Sequence, residues 1–223
     1  MKTGTTFLLA CALLLCAESY AQNNQPFSFG LMGGLNIVGS YQTGANLTHA
    51  NGGLAGLDLG YSFSKNADNI SLHFQPHWES FTGKVPHSYS SNGFHFQSLN
   101  LPIILRYSIL SQSKIRPFAE FGAGYVVRLK TINKKNAIVC PFATPCYSMG
   151  VVDEELLPGS KHNNLIVLAG VGAELQFGTI KVPISIRMNE GTGTFSLKRS
   201  YNDRDPFTDL KTRTIQLVAG VNF

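Results

Sequence analysis

The last ten residues, T-I-Q-L-V-A-G-V-N-F, set a pattern that runs through the chain. Ile215, Leu217, Ala219, Val221 and Phe223 alternate with Thr214, Gln216, Val218, Gly220 and Asn222. Period 2 marks an extended strand, whose successive side chains point to opposite faces. Upstream, Ile70, Leu72, Phe74, Pro76 and Trp78 oppose Ser71, His73, Gln75, His77 and Glu79. Leu99, Leu101, Ile103, Leu105 and Tyr107 oppose Asn100, Pro102, Ile104, Arg106 and Ser108. Ala119, Phe121, Ala123, Tyr125, Val127 and Leu129 oppose a face with Glu120, Arg128 and Lys130. Leu165 through Phe177 oppose Glu174 and Gln176, and Ile180 through Met188 oppose Lys181, Ser185 and Arg187. Each time the charges fall on the non-apolar face.

The pattern predicts eight strands, at about 27–37, 54–64, 69–80, 94–108, 115–130, 164–177, 180–188 (extending toward 197) and 211–223. Their connections alternate between long (38–53, 81–93, 131–163, 198–210) and short (65–68, 109–114, 178–179). Strands of about ten residues, even in number, with short turns at one end, predict an all-β, eight-stranded antiparallel up-and-down transmembrane barrel. An apolar strand at a bare terminus fits closure of the last strand on the first. Phe27, Phe29, Tyr61, Phe63, Tyr107, Phe177 and Phe223 gather on apolar faces at the short-turn end, as an interfacial girdle would. Trp78 and either Phe94 or Phe96 would begin the opposite girdle. A soluble lipocalin-type barrel also has eight strands, and periodicity alone does not say which face is inside. The loop parity, terminal Phe223 and low charge favour lipid outside.

The N-terminus changes the picture of where the barrel lives. Lys2, the apolar run 7–16 and the small residues around Ala21 match a cleavable signal peptide over 1–21, followed by a barrel domain over 22–223. A lipid on Cys16 is the alternative, disfavoured by Leu14 and Leu15 before it. Charged residues make up 14% of the chain, below the quarter or so of soluble proteins. The net charge of +5 is scattered, which speaks against a nucleic-acid partner. Cys140 and Cys146 remain after the signal leaves, and an exported protein with two thiols so close predicts a disulfide. A metal site with His162 is the weaker alternative.

Several segments resemble the PorT-like outer-membrane β-barrel family. Leu99 to Tyr107 (L-N-L-P-I-I-L-R-Y) is similar to its signature strand, with Asn100 where the family usually has Glu. Ile115-Arg116-Pro117-Phe118 leading to Gly122-Ala123-Gly124 resembles the next strand, and 165–175 the sixth. The closing V-A-G-V-N-F resembles the family's last strand, which implies that Phe223 belongs to a signal read by outer-membrane insertion machinery. The resemblance implies a bacterial outer-membrane barrel but no reaction.

The candidate chemistry is thin. His73 and His77 would lie about 13 Å apart on one strand face, too far to share an ion. Gly122-x-Gly124 and Gly170-x-Gly172 precede no helix and hold no phosphate. Asn202, Asp203, Asp205 and Asp209 are oxygen ligands in a loop, but lack the Gly and distal Glu of a calcium hand. No Ser, His and Asp spacing singles itself out as a catalytic set. The informative set is Asp58, Glu79, Arg106, Glu120, Arg128, Lys130, Glu174, Lys181 and Arg187, acids and bases sharing inward faces. Eight strands leave an interior just wide enough for side chains to fill. The expectation is therefore a paired network plugging the lumen, in a structural or interaction protein without enzymatic activity or cofactor. Membrane lipid is its first partner. A narrow channel, an outer-membrane enzyme and a soluble carrier are the alternatives. The connection 131–163, over thirty residues long, is the expected surface for a protein partner.

Overall fold

A computed structural model describes residues 26–40, 48–63, 69–84, 93–110, 113–139, 147–155, 163–192 and 212–223. The expected signal peptide, Cys140, Cys146 and the candidate calcium loop lie outside the described residues. Among the described residues, ten strands form one antiparallel sheet: β1 Phe27–Ser40, β2 Thr48–Ser62, β3 Ile70–Phe74, β4 His77–Lys84, β5 Gly93–Ser108, β6 Ile115–Val139, β7 Tyr147–Glu155, β8 Asn163–Phe177, β9 Ile180–Gly191 and β10 Thr212–Asn222.

These make eight staves of a closed barrel, because β3 and β4 are one stave interrupted at Gln75-Pro76. Proline has no N–H to give the ladder. Both segments nonetheless pair with β2 and β5, and the Pro76 carbonyl still accepts from the Leu57 N–H at 3.0 Å. The ring closes where β10 pairs with β1. The Phe223 N–H donates to the Phe29 carbonyl at 2.8 Å, and the Phe29 N–H returns the bond at 3.3 Å.

One inward row can be followed through the ladders: Ser62, Ser71, Arg106, Glu120, Gly170, Arg187, Gln216, Asn36, Gly52. It leaves β2 at Ser62 and returns to β2 at Gly52, a shear of ten residues (62 − 52). Shear of this kind accompanies a strand tilt of roughly 35–45°. Residues far apart along their own strands are thereby brought to one level of the lumen.

The molecule is inside-out. Phe27 is 70% exposed and Ile186 57%, while Glu120 and Arg187 are 3% exposed. Buried apolar residues such as Met32, Ile104, Phe118 and Leu168 are a minority among buried Asn, Gln, Asp, Glu, His and Arg. Such a surface is stable only in lipid, where strands satisfy every backbone group around a closed ring.

Three details differ from the sequence pattern. Most strands run further at the long-connection end than the apolar alternation does: β1 reaches Ser40, β2 begins at Thr48 and β6 reaches Val139. Alternation records contact with lipid, whereas backbone pairing does not depend on it. Second, β7 pairs with the far end of β6 as a ribbon within what reads as a loop. Third, Gln97 pairs with Lys130 while Ser98 pairs with Arg128, leaving Leu129 as a bulge. A bulge shifts the two-residue period. Lys130 is consequently exposed, and the expectation of a lumen lysine there is corrected.

Candidate functional site in the barrel lumen

The centre of the lumen is built on Glu120 of β6. Its carboxylate accepts from Arg187 Nε and, at 3.3 Å, from Arg187 Nη2. Arg106 Nη2 on β5 donates to the same group at 3.4 Å. Arg187 also donates through Nη1 to Gln75 Oε1 at 2.7 Å and through Nε to Ser185 Oγ at 3.1 Å. Gly170 stands between Glu120 and Arg187 in the cross-strand row. A Cβ there would lie 2.9 Å from Arg187 Cγ and 3.0 Å from Glu120 Oε1, so glycine leaves the room that the ion pair occupies.

Toward the short-turn end, Asp58 of β2 accepts from His73 Nδ1 at 2.8 Å and from Asn222 Nδ2 at 2.9 Å. The other ring nitrogen, His73 Nε2, is 2.9 Å from Ser71 Oγ. Arg116 and Glu174 pair more loosely at 3.9 Å. Toward the other end, Glu79 accepts from the Asn36 amide at 2.6 Å and from the Asn100 amide. His77 donates from Nδ1 to the Gln75 carbonyl at 2.8 Å, which leaves Nε2 to accept from Asn100 at 3.1 Å. Above Glu79 a cavity of about 50 Å³ is lined by Phe96, Ser98, Asn100, Arg128 and Asn189. That is room for a few waters, well below the several hundred cubic ångströms of a small-molecule site.

Of the residues singled out in the sequence, Asp58, Glu79, Arg106, Glu120, Arg128, Glu174 and Arg187 are buried. Lys181 is half-buried, opposite Gln176 and Asn222. Arg128 places its guanidinium 5.2 Å from the Phe96 ring, and Arg106 sits 4.3 Å from the Phe118 ring, both in cation–π range. Phe96 is 5% exposed and stacks on Phe81 at 4.9 Å, so it is no part of a lipid-facing girdle. The seven aromatics of the short-turn end are all exposed, with Phe27 and Tyr61 in contact at 5.0 Å. Sequence reasoning missed Arg116, although this residue shares the period-2 face of Glu120, because it stands at the very start of the strand, before the apolar alternation is established. It also missed the link between Asp58, His73 and Ser71, which depends on the register of β2 with β3.

Eight tilted staves, an apolar outer face, an aromatic girdle and a polar lumen define an outer-membrane β-barrel. The chain belongs to the outer membrane protein beta-barrel domain family, whose model matches residues 7–223. Its fold is similar to the outer membrane protein OprG of Pseudomonas aeruginosa, with 11% identity, 91% of this chain and 98% of that chain covered, and a TM-score of 0.50. Neisserial surface protein A is 15% identical, with 87% and 95% covered and a TM-score of 0.44. Ail, the attachment invasion locus protein of Yersinia pestis, is 13% identical, with 89% and 100% covered and a TM-score of 0.41. No curated protein matches the chain. These likenesses concern the fold; the family places the chain in the bacterial outer membrane.

Proposed function

We propose that this protein is a structural or interaction component of the outer membrane, with a plugged lumen and surface loops on the long-connection side. One observation carries the reading. Arg187 lies on the seventh stave and bonds Gln75 on the third, on the opposite wall of an eight-stave ring. A side-chain bond across the full width, tied to Glu120 and Arg106, supports a lumen closed at that level. Buried charges in such a position are retained in mutually satisfied sets, since each alone would be costly.

The alternation of loop lengths supports long connections outside and short turns in the periplasm. The PorT-like resemblance is the finer family assignment. It is supported by the strand around Asn100, where an amide now serves the carboxylate of Glu79. Phe223, exposed at the end of the closing strand, is the proposed terminus of the insertion signal. Lipid and insertion machinery are thus the general partners, and the β6–β7 ribbon is the proposed surface for a specific protein one.

Planar-bilayer recording tests the closed lumen. The purified, folded protein should give no unitary current steps. Reproducible conductance steps from the wild-type chain would replace the plugged reading with that of a narrow channel.

A further inference from the structure

The link between Asp58, His73 and Ser71 has the order of a nucleophile, base and orienting acid. We propose that Ser71, His73 and Asp58 form a hydrolytic centre for short carboxylic esters at the short-turn mouth of the barrel. This reaches beyond the structural role above and runs against the sequence-based expectation of a non-enzyme.

The geometry carries the assignment. Ser71 Oγ is 2.9 Å from His73 Nε2, and His73 Nδ1 is 2.8 Å from Asp58 Oδ1. Asp58 accepts from Nδ1–H, so the lone pair of the neutral ring lies on Nε2, facing the serine hydroxyl. A nucleophile within hydrogen-bond reach of a base, itself oriented by a third group, is the arrangement that activates serine. Asn222 holds the second Asp58 oxygen at 2.9 Å and fixes the acid. His73 is 4% exposed and Asp58 2%, whereas Ser71 is half-buried. The base and acid are thus shielded while the nucleophile is reachable.

Two further features belong to the same centre. Gly60 lies opposite His73 in the ladder, and a Cβ on it would stand 3.0 Å from His73 Cε1 and 2.3 Å from Ser28 Oγ. Its missing side chain makes the seat of the imidazole. Arg106 lies directly across from Ser71. It is 2% exposed, its Nη2 is engaged by Glu120, and its Nε and Nη1 have no hydrogen-bond partner among the described residues. Buried donors of this kind, on the cross-strand partner of the nucleophile, are the candidate stabilisers of a developing oxyanion.

In the reaction, Ser71 gives its proton to His73 Nε2 as Oγ bonds the ester carbon, and the carbonyl electrons move onto oxygen. The ester C–O bond then breaks, and the leaving alcohol takes the proton from His73. Water next attacks the acyl group, its proton passing to His73. The acyl–Oγ bond breaks, Ser71 recovers the proton and the carboxylic acid departs. Asp58 stays ionised throughout and stabilises the transient imidazolium. The narrow lumen restricts the substrate to an acyl group short enough to enter at the mouth.

The test uses the full barrel folded in lipid vesicles, checked by heat-dependent gel migration, with p-nitrophenyl acetate and a fluorophosphonate as probes. Peptide mass spectrometry should find the fluorophosphonate on Ser71. His73→Gln should slow labelling by about a hundredfold, within the usual contribution of a general base. Ser71→Ala should remove both the adduct and the ester turnover, and Ser71→Cys, which keeps a nucleophile if alanine impairs folding, should be alkylated faster than a His73→Gln, Ser71→Cys double variant. A folded wild type that carries no adduct on Ser71 and hydrolyses the ester no faster than Ser71→Ala would overturn the proposal. So would equal labelling of Ser71 with and without His73.

Discussion

At the residue scale, one carboxylate organises the middle of the lumen. Glu120 serves two guanidinium groups, and its loss strands both in a site that water barely reaches. Glu120→Ala should therefore cost about 3–5 kcal/mol, the range for breaking a buried pair from one side. The double variant Glu120→Ala, Arg187→Ala should cost clearly less than the two single losses added together. Reversible urea unfolding in vesicles measures all four corners of this cycle. Gly170→Ala should destabilise by about 1–3 kcal/mol by overpacking, because the new methyl group meets both members of the pair. The sense of these residues was legible in the sequence, since each opposes apolar neighbours. Their partners were not. Period 2 gives the face of one strand, while contact across the lumen depends on the shear between eight of them.

At the scale of elements, the staves were legible and their extensions were not. Lipid imposes alternation only across its own thickness, so β7 and the far half of β6 carry no sustained alternation of apolar and polar residues. The bulge at Leu129 was equally silent, and it turned Lys130 outward. The ribbon bears on the disulfide expected from sequence. Val139 and Tyr147, which flank Cys140 and Cys146, are cross-strand partners. We expect mass spectrometry of unreduced protein to recover both cysteines in one linked peptide; free thiols at both would reject the bridge. Replacing both should leave the barrel folded, as the closed ladder does not depend on them. Orientation has its own check. In a background without the native cysteines, single cysteines at Ser90 and Lys161 should react with an impermeant maleimide on intact cells. Those at Asn66 and Ser113 should not, and the reverse pattern would invert the barrel.

At the scale of the whole molecule, stability rests on the closed hydrogen-bonded ring, with the usual distribution of apolar and polar side chains reversed. That reversal explains why low charge content and near-neutral hydropathy accompany a membrane protein whose described residues contain no membrane-spanning helix. It also sets the cost of an error of face. Ile186→Arg, at a lipid-facing position between Ser185 and Arg187, should lower folding stability by about 2–4 kcal/mol near the bilayer midplane. The most direct test of an inside-out barrel is a nitroxide scan along β9 in vesicles, one label at a time from Ile184 to Met188. Oxygen, which concentrates in lipid, should relax labels at Ile184, Ile186 and Met188 strongly and those at Ser185 and Arg187 weakly. A flat profile, or maxima at Ser185 and Arg187, would contradict the account.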